Sequence, residues 1–325
     1  MKILITGGAG FVGSHLVEKY LERGDDVYII DDLSTGTLEN IKHLQEDKNH
    51  KDKLFVTIDS ILNHNVMLGL VGTCDIVLHM AAAVGVQYIL ENPLSSIVTN
   101  IKGAEEVLEL CNKFKKKVLI ASTSEVYGKH THAPLVETDN IIYGPSIKFR
   151  WSYAAAKLMD EFTALAYHRT KNLQVAIIRL FNTVGPRQTG RYGMVIPRFV
   201  QQALRNEVIT VYGDGTQTRT FTYVGDVVDA ITKLIECPDA IGDIINIGGT
   251  EEVTINDLAE KIRKSANSTS EIRFISYEDA YTKDFEDMQR RVPSIEKIKE
   301  LIGWTPRTSL NDILEKVNDY YRVNE

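Results

Sequence analysis

Met1-Lys2-Ile3-Leu4-Ile5-Thr6-Gly7-Gly8-Ala9-Gly10-Phe11-Val12-Gly13-Ser14 opens the chain. Apolar Ile3–Thr6 has the composition of a buried strand, and a helix-length segment, Ser14–Arg23, follows the glycines. A glycine turn at a strand-to-helix junction lets backbone approach a pyrophosphate, which the helix N-terminus stabilises through its free N–H groups and dipole. The spacing is G-x-x-G-x-x-G, a relative of the usual dinucleotide fingerprint and not that fingerprint itself. The next apolar run, Val27–Ile30, leads to Asp31, 18 residues beyond Gly13, where an acid can accept hydrogen bonds from an adenosine ribose. Asp32 follows, and neither position holds the Arg that a 2′-phosphate favours, so NAD is expected over NADP. Asp59, ending a third run, either reaches an adenine amino group or caps a turn.

Working outward, Leu54–Ile58, Ile76–Met80, Val118–Ser122 and Val175–Leu180 read as further buried strands. Pro93–Phe114 and Ser152–Lys171 are helix-length segments between them. Such alternation implies right-handed βαβ units and an α/β, doubly wound parallel sheet covered on both faces. The stretch from Thr183 to Tyr223, rich in Gly, Pro and Arg, breaks the rhythm. Ile244–Ile247 restores it, and the charged tail from Thr254 reads as helical, ending in Ser294–Ile302 and Leu310–Tyr321. Length alone, 325 residues, suggests about two units of ~150 residues. The expected division is 1–181 plus 224–250 for a cofactor-binding domain, and 182–223 plus 251–325 for a smaller, discontinuous substrate domain.

Composition excludes several classes. With 37 Lys+Arg against 44 Asp+Glu, the net charge of −7 speaks against a nucleic-acid partner. The one dense basic run, Lys113 to Lys117, falls where a helix should end, and cations are favourable there. Three scattered cysteines without a CxxC fit a reducing, cytoplasmic setting. No apolar stretch approaches the ~20 residues of a membrane helix, and Met1-Lys2 runs straight into a strand without a signal peptide.

Tyr153 and Lys157, at i and i+4, lie on one helix face, and an ammonium beside a phenol favours the phenolate that a base near neutrality requires. Upstream, Ser122-Thr123-Ser124-Glu125 follows a strand, which places hydroxyls and a carboxylate at the ligand-binding edge of the sheet. His130 and His132 form a close pair, but no third ligand stands at a recognisable spacing, so a solvated loop and no metal are expected.

Gly7–Gly13, Asp31-Asp32, His79-Met80-Ala81-Ala82, Thr123-Ser124-Glu125, Tyr153/Lys157, Phe181-Asn182 and Gly185-Pro186-Arg187 occur in the order of a known family. Val211-Tyr212-Gly213-Asp214-Gly215 with Arg219, and Arg291 with Pro293, extend the match over essentially the whole chain. The sequence resembles the extended short-chain dehydrogenases/reductases that act as nucleotide-sugar epimerases, dehydratases and decarboxylases. That resemblance implies a Rossmann-like fold, an NAD cofactor, a UDP-sugar substrate, and a homodimer pairing through Pro93–Phe114 and Ser152–Lys171. It casts Tyr153 as the base that takes a sugar hydroxyl proton, Lys157 as its support on the nicotinamide ribose, and Thr123 as a hydrogen-bond partner of the reacting oxygen. Ser124 and Glu125 complete the catalytic set. It also implies cofactor contacts at Gly7, Gly10, Phe11, Val12 and Gly13, then at Asp31, Asp32, Ser34, Thr35 and Gly36. Asp59, Ser60, Ala81, Ala82, Ala83, Asn100 and Ser122 finish the cofactor wall. For the substrate, Asn182, Arg219 and Arg291 are expected on the diphosphate and Val211 and Tyr212 near the base, with Val84, Arg187, Arg191, Met194, Val195 and Gln217 lining the remainder.

Members of this family all begin by oxidising C4 of the sugar. A 4,6-dehydratase needs an Asp–Glu pair, and Ser124 stands at the Asp position. The intact Tyr153, Lys157 and Thr123 speak against a non-catalytic NAD-binding regulator. Decarboxylases resemble the chain at Thr123-Ser124-Glu125 but carry an Arg where this sequence has Met194. Gly185-Pro186-Arg187-Gln188 followed by Met194 is similar to the hexuronate 4-epimerases, although Glu125 is unexpected there. The sequence reading therefore leans to an NAD-dependent UDP-sugar 4-epimerase acting on UDP-glucuronate or a related UDP-hexose, with UDP-glucuronate decarboxylase as the alternative.

Overall fold

The β-branched and aliphatic runs do form the central strands. The computed structural model describes residues 1–130, 132–190, 194–280, 286 and 288–324. Its main sheet contains β1 (Lys2–Thr6), β2 (Asp26–Asp31), β3 (Leu54–Ile58), β4 (Ile76–His79), β5 (Lys117–Thr123), β6 (Val175–Leu180) and the Ile244–Ile247 strand. The order across the sheet is Ile244–Ile247, β6, β5, β4, β1, β2, β3, and every pairing is parallel. The chain winds outward from β1 to β3 and then returns to start β4 on the other side of β1. This reversal opens a crevice at the carboxyl ends of β1 and β4, the usual ligand position in such sheets.

Each face carries its own apolar layer. On one, Leu16, Val17 and Tyr20 of α1 (Phe11–Glu22) meet Val227, Ile231 and Leu234 of the Val224–Leu234 helix. On the other, Val107, Leu108 and Cys111 of the Pro93–Phe114 helix pack with Ala164 of the Ser152–Lys171 helix. These two long helices match the sequence reading at both ends. α1 begins at Phe11, earlier than expected, because Gly10 in extended backbone ends the turn without a side-chain cap. The first-turn N–H groups thus face the crevice end of the helix with no intrahelical acceptor. Glu39–Glu46 and His64–Thr73 are helices that the sequence did not announce, being short and, in the second case, interrupted by Gly69 and Gly72.

A separate core gathers Ile196, Phe199, Leu258, Ile262, Ile313 and Val317. Above it, Thr218–Thr220 is the middle of a three-stranded sheet, antiparallel to Glu252–Thr254 and parallel to Arg290–Arg291. The register sets Arg291 directly opposite Arg219. The Glu296–Ile302 helix, grouped by sequence with the substrate unit, packs instead on the main sheet through Ile295, Ile298 and Trp304. Among the described residues, no helix is long and apolar enough to cross a membrane.

His79 closes β4 in full burial, with Nδ1 2.8 Å from Thr6 Oγ1. Burial, and then the charge of Lys157, push its pKa down to about 3. The ring is therefore neutral in the fold, while an unfolded histidine titrates near 6.5. Its contribution to stability is complete above about pH 6.5 and is lost as pH falls toward about 3. Urea denaturation between pH 4 and 6 should show wild-type stability falling up to about 1.4 kcal/mol per pH unit more steeply than that of His79→Gln. Parallel pH profiles would remove His79 from this role.

Candidate active site

The cradle at the start of the chain is set by close backbone approach. Gly7 has φ +70°, and a Cβ there would lie 2.9 Å from the Ala81 backbone. A Cβ on Gly13 would lie 2.0 Å from the Gly7 carbonyl oxygen. Only glycine permits strand, turn and helix to meet so tightly. Phe11, Val12, Ala81, Ala82 and Ala83 line the resulting cavity with Gly7, Gly10 and Gly13.

Asp31 closes its far end together with Asp32, Ser34 and Thr35. The Asp31 carboxylate accepts the Ala9 N–H at 2.9 Å on one oxygen and the Leu33 N–H at 2.9 Å on the other. Burial raises its pKa, against those two bonds. Gly10 adds a third backbone contact, and the carboxylate keeps acceptor capacity on the cavity side.

Not every expected cofactor residue reaches the wall. Gly36 stands behind Asp31, where a Cβ would be 3.0 Å from Oδ1. Asp59 turns to its own loop, accepting from Ser60 N and Asn63 Nδ2, so the capping alternative holds and Ile61 lines the cavity instead. Ser60 itself is spent in that turn, accepting the Leu62 N–H. Asn100 is buried and braces the Ala83 loop from behind, accepting its N–H at 2.9 Å and donating to its carbonyl at 3.2 Å. Ser122 does line the cavity, and its hydroxyl donates to Glu161 at 2.5 Å.

Tyr153 lies where this cavity adjoins a second one, both walls sharing Val84, Glu125, Asn182, Met194 and Arg291. Thr123 lies close enough to the Tyr153 hydroxyl to favour its ionised form. Burial, then the charges of Glu125 and Asp160, push the phenol well above its ordinary range. Lys157 is not free to counter this, because its ammonium donates to Asp160 at 2.7 Å with both groups buried. The expected lowering of the Tyr153 pKa by Lys157 is therefore corrected: the lysine charge is balanced locally by Asp160.

Glu125 occupies the junction of the two cavities. The buried guanidinium of Arg150 grips it with both terminal nitrogens, Nη2 donating to Oε1 at 3.0 Å and Nη1 to Oε2. Arg291 Nη1 stands 3.6 Å from Oε1 and donates to Ser124 Oγ at 3.4 Å. Burial works to raise the Glu125 pKa, but the charges of Arg150, Arg291 and Arg219 outweigh it and hold the carboxyl below the usual range. Arg291 is thus nearer the reacting end than its expected place on a diphosphate.

The second cavity continues past Val195, Tyr212, Gln217 and Arg219. Gln217 Nε2 donates to the Tyr212 carbonyl at 3.0 Å, and Arg198 stacks 3.8 Å from the Tyr212 ring centre, which stiffens that aromatic wall. Asn182 serves both as a strand-end brace, donating to Thr220 O at 2.8 Å, and as cavity wall. Two expected residues are corrected. Val211 points into the second core and not the cavity, since the neighbouring Tyr212 takes the opposite side of the strand. Arg187 pairs with Glu18 of α1 at 2.7 Å, away from both cavities. Arg191 lies outside the described residues.

Sequence reading missed Arg150 and Asp139. Arg150 sits three positions before Tyr153, at the helix entrance, and carries no motif of its own. Asp139 comes within reach of His130 and His132, so a third potential ligand exists after all, supplied by a loop that the sequence spacing could not fold.

A doubly wound sheet with a glycine cradle at its switch point and a Tyr/Lys helix at the adjoining edge defines an extended short-chain dehydrogenase/reductase. Residues 4–317 match the profile described as GDP-mannose 4,6 dehydratase, and the chain belongs to that family. The UDP-N-acetyl-alpha-D-glucosaminuronate decarboxylase of Bacillus cytotoxicus is 40% identical over 328 residues, spanning 100% of this chain and 98% of its own length. UDP-glucuronic acid decarboxylase 4 of Arabidopsis thaliana is 37% identical over 310 residues, 95% of this chain and 66% of that longer protein. Among solved structures, the UDP-glucuronic acid 4-epimerase of Bacillus cereus, in complex with UDP-glucuronic acid and NAD, superposes with a TM-score of 0.89 at 30% identity, each chain covered in full.

The cradle supplies a direct test. Gly13→Ala should weaken binding of added NAD at least about tenfold in calorimetry and cost about 1–3 kcal/mol of stability, because the new methyl collides with rigid backbone. Unchanged NAD affinity would separate the cradle from the cofactor.

Proposed function

We propose that the chain is an NAD-dependent decarboxylase of a UDP-linked hexuronate, and Glu125 carries the reading. An acid held ionised among Arg150, Arg219 and Arg291, beside Tyr153, is a built feature that simple turnover of a 4-keto sugar does not need. Two curated relatives that match over 95% or more of the chain are uronate decarboxylases by name, which also supports it. The leaning to an epimerase rests on Met194 in place of a decarboxylase Arg and on the Gly185-Pro186-Arg187-Gln188 stretch before it. Met194 lines both cavities without charge, but Arg291 lines both as well and supplies the cation that a carboxylate substrate calls for.

The glycine cradle, Asp31 and Lys157 would hold NAD, which would supply the hydride acceptor and donor at C4. Tyr153, whose phenol is kept protonated here by burial and by Glu125 and Asp160, would take the C4 hydroxyl proton once the positive charge of oxidised NAD favours its phenolate, and Thr123 would hydrogen-bond the same oxygen. The resulting 4-keto uronate is a β-keto acid, so breaking the C5–C6 bond releases carbon dioxide and leaves its electron pair on the C4 oxygen. Tyr153 and Thr123, which line the same cavity, would stabilise the enolate. Glu125, being ionised, is an acceptor and not an acid. It orients a water that would give its proton to C5, and bulk solvent resupplies that proton, so that one proton is consumed per carbon dioxide released. Arg219 and Asn182 hold the diphosphate, Tyr212 and Gln217 face the base, and Val84 and Val195 pack the sugar.

Incubation with UDP-glucuronate and with UDP-N-acetylglucosaminuronate, followed by NMR, should give the pentose nucleotide and one equivalent of carbon dioxide from at least one of them. A C4 epimer formed without carbon dioxide would overturn the decarboxylase. Tyr153→Phe and Glu125→Gln should each lower kcat by about 10²–10⁴-fold while NAD stays bound. Near-wild-type carbon dioxide release by Glu125→Gln would withdraw that residue from the chemistry.

A homodimer belongs to the same proposal. Leu94, Met159 and Phe162 are 73%, 51% and 60% exposed on the two long packed helices, an apolar surface that a second copy would cover. Phe162→Asp should shift sedimentation from dimer to monomer; a wild-type monomer would end this part of the reading.

A further inference from the structure

The loop that leaves Tyr127 returns to it at Ile142 and carries two imidazoles and a carboxylate to one point. Ligand atoms of His130, His132 and Asp139 all lie within 4.8 Å of one another. His132 Nε2 is 3.4 Å from Asp139 Oδ2, and the rings of His130 and His132 meet edge to face at 4.0 Å. His130 is only 8% exposed, and its Nδ1 is enclosed without a hydrogen-bond partner among the described residues. Burying a polar nitrogen unsatisfied costs free energy that folding does not ordinarily leave uncompensated. Nothing in the site around Tyr153 uses this cluster.

We propose that His130, His132 and Asp139 bind a divalent ion of the zinc class. Neutral imidazole nitrogen with one carboxylate is a donor set that favours zinc or cobalt over hard ions such as magnesium. Tetrahedral zinc with bonds near 2.0–2.1 Å keeps its ligand atoms roughly 3.3 Å apart. The His132–Asp139 pair already has that separation, and side-chain adjustments on the order of an ångström bring in His130.

The backbone under the cluster is fixed before any ion arrives. Lys129 N donates to Ile142 O at 2.6 Å, and Val136 N donates to Asp139 Oδ2 at 2.7 Å. Asn246 donates to Leu135 O at 3.1 Å through Nδ2 and to Glu137 Oε1 at 2.9 Å through its backbone N–H. The His132 side chain, 59% exposed, leaves a path of entry and room for a water as fourth ligand. The same loop hydrogen-bonds through Leu135 to Val292 and Ser294, next to Arg291, so the ion would fasten the support of that cation without touching the reacting centre.

The experiment uses the full chain, treated with a chelator and then titrated with Zn²⁺ or Co²⁺. One equivalent should bind, Co²⁺ should show the intense visible bands of a tetrahedral site, and Zn²⁺ should raise the melting temperature. His132→Ala and Asp139→Asn should each weaken binding at least about tenfold and abolish the bands, with NAD affinity unchanged. His64→Ala, which removes an exposed histidine elsewhere, should behave as wild type. Binding that is equal in wild type and in both loop variants, or equally strong for Mg²⁺, would overturn the site. So would the absence of any stoichiometric Zn²⁺ binding.

Discussion

The approach of Gly13 to the Gly7 carbonyl is the constraint on which the rest is hung. Because no side chain separates them, α1 starts directly at the end of β1, and Ala81 at the end of β4 closes on Gly7 from the other side. Three elements converge at the point where strand order reverses, and their free backbone groups and small side chains make a slot instead of a core. Much of the chemical character then arrives from the strands to one side of this slot: Thr123 at the end of β5, Glu125 just after it, Tyr153 on the helix behind, Asn182 after β6.

Beyond the slot, the site is built from buried charge. Arg150 grips Glu125, Arg179 forks onto Glu161 at 2.9 and 2.7 Å, and Lys157 meets Asp160 at 2.7 Å. Buried ion pairs are poor sources of stability, since desolvating the charges costs about as much as their attraction returns, while removing one partner typically costs about 3–5 kcal/mol. Their concentration around one tyrosine is better explained by orientation. Each fixes the direction of a side chain, and together they leave Tyr153 near acids whose counter-charges are already committed.

Much of the fold was legible because its signals are local. The runs Leu54–Ile58, Val175–Leu180 and Ile244–Ile247 have one reading as strands, and the helix from Pro93 begins on a proline suited to a first turn. The cradle and the Tyr153/Lys157 face were equally local. What sequence could not supply was pairing at long range. Asp160 neutralising Lys157 is visible as a spacing but not as a choice of partner. Arg150 on Glu125, Arg187 on Glu18 and Asp139 beside His132 depend on how loops fold, and hydrophobic periodicity does not record that. Val211 and Tyr212 were read as one motif, although strand geometry sends neighbours to opposite sides.

The strand pair that sets Arg291 opposite Arg219 joins residues 72 positions apart in a ladder only two pairs long. Side chains alternate along a strand, so a slip of one residue would turn Arg291 away from the site while leaving the sheet, the cradle and both cores intact. Cofactor capture and chemistry are thus separable properties of this chain. A descendant that lengthened or lost the segment just before Arg290 would keep a well-formed nucleotide-binding fold with its reactive end unequipped. Divergence into binding-only relatives is therefore one insertion away.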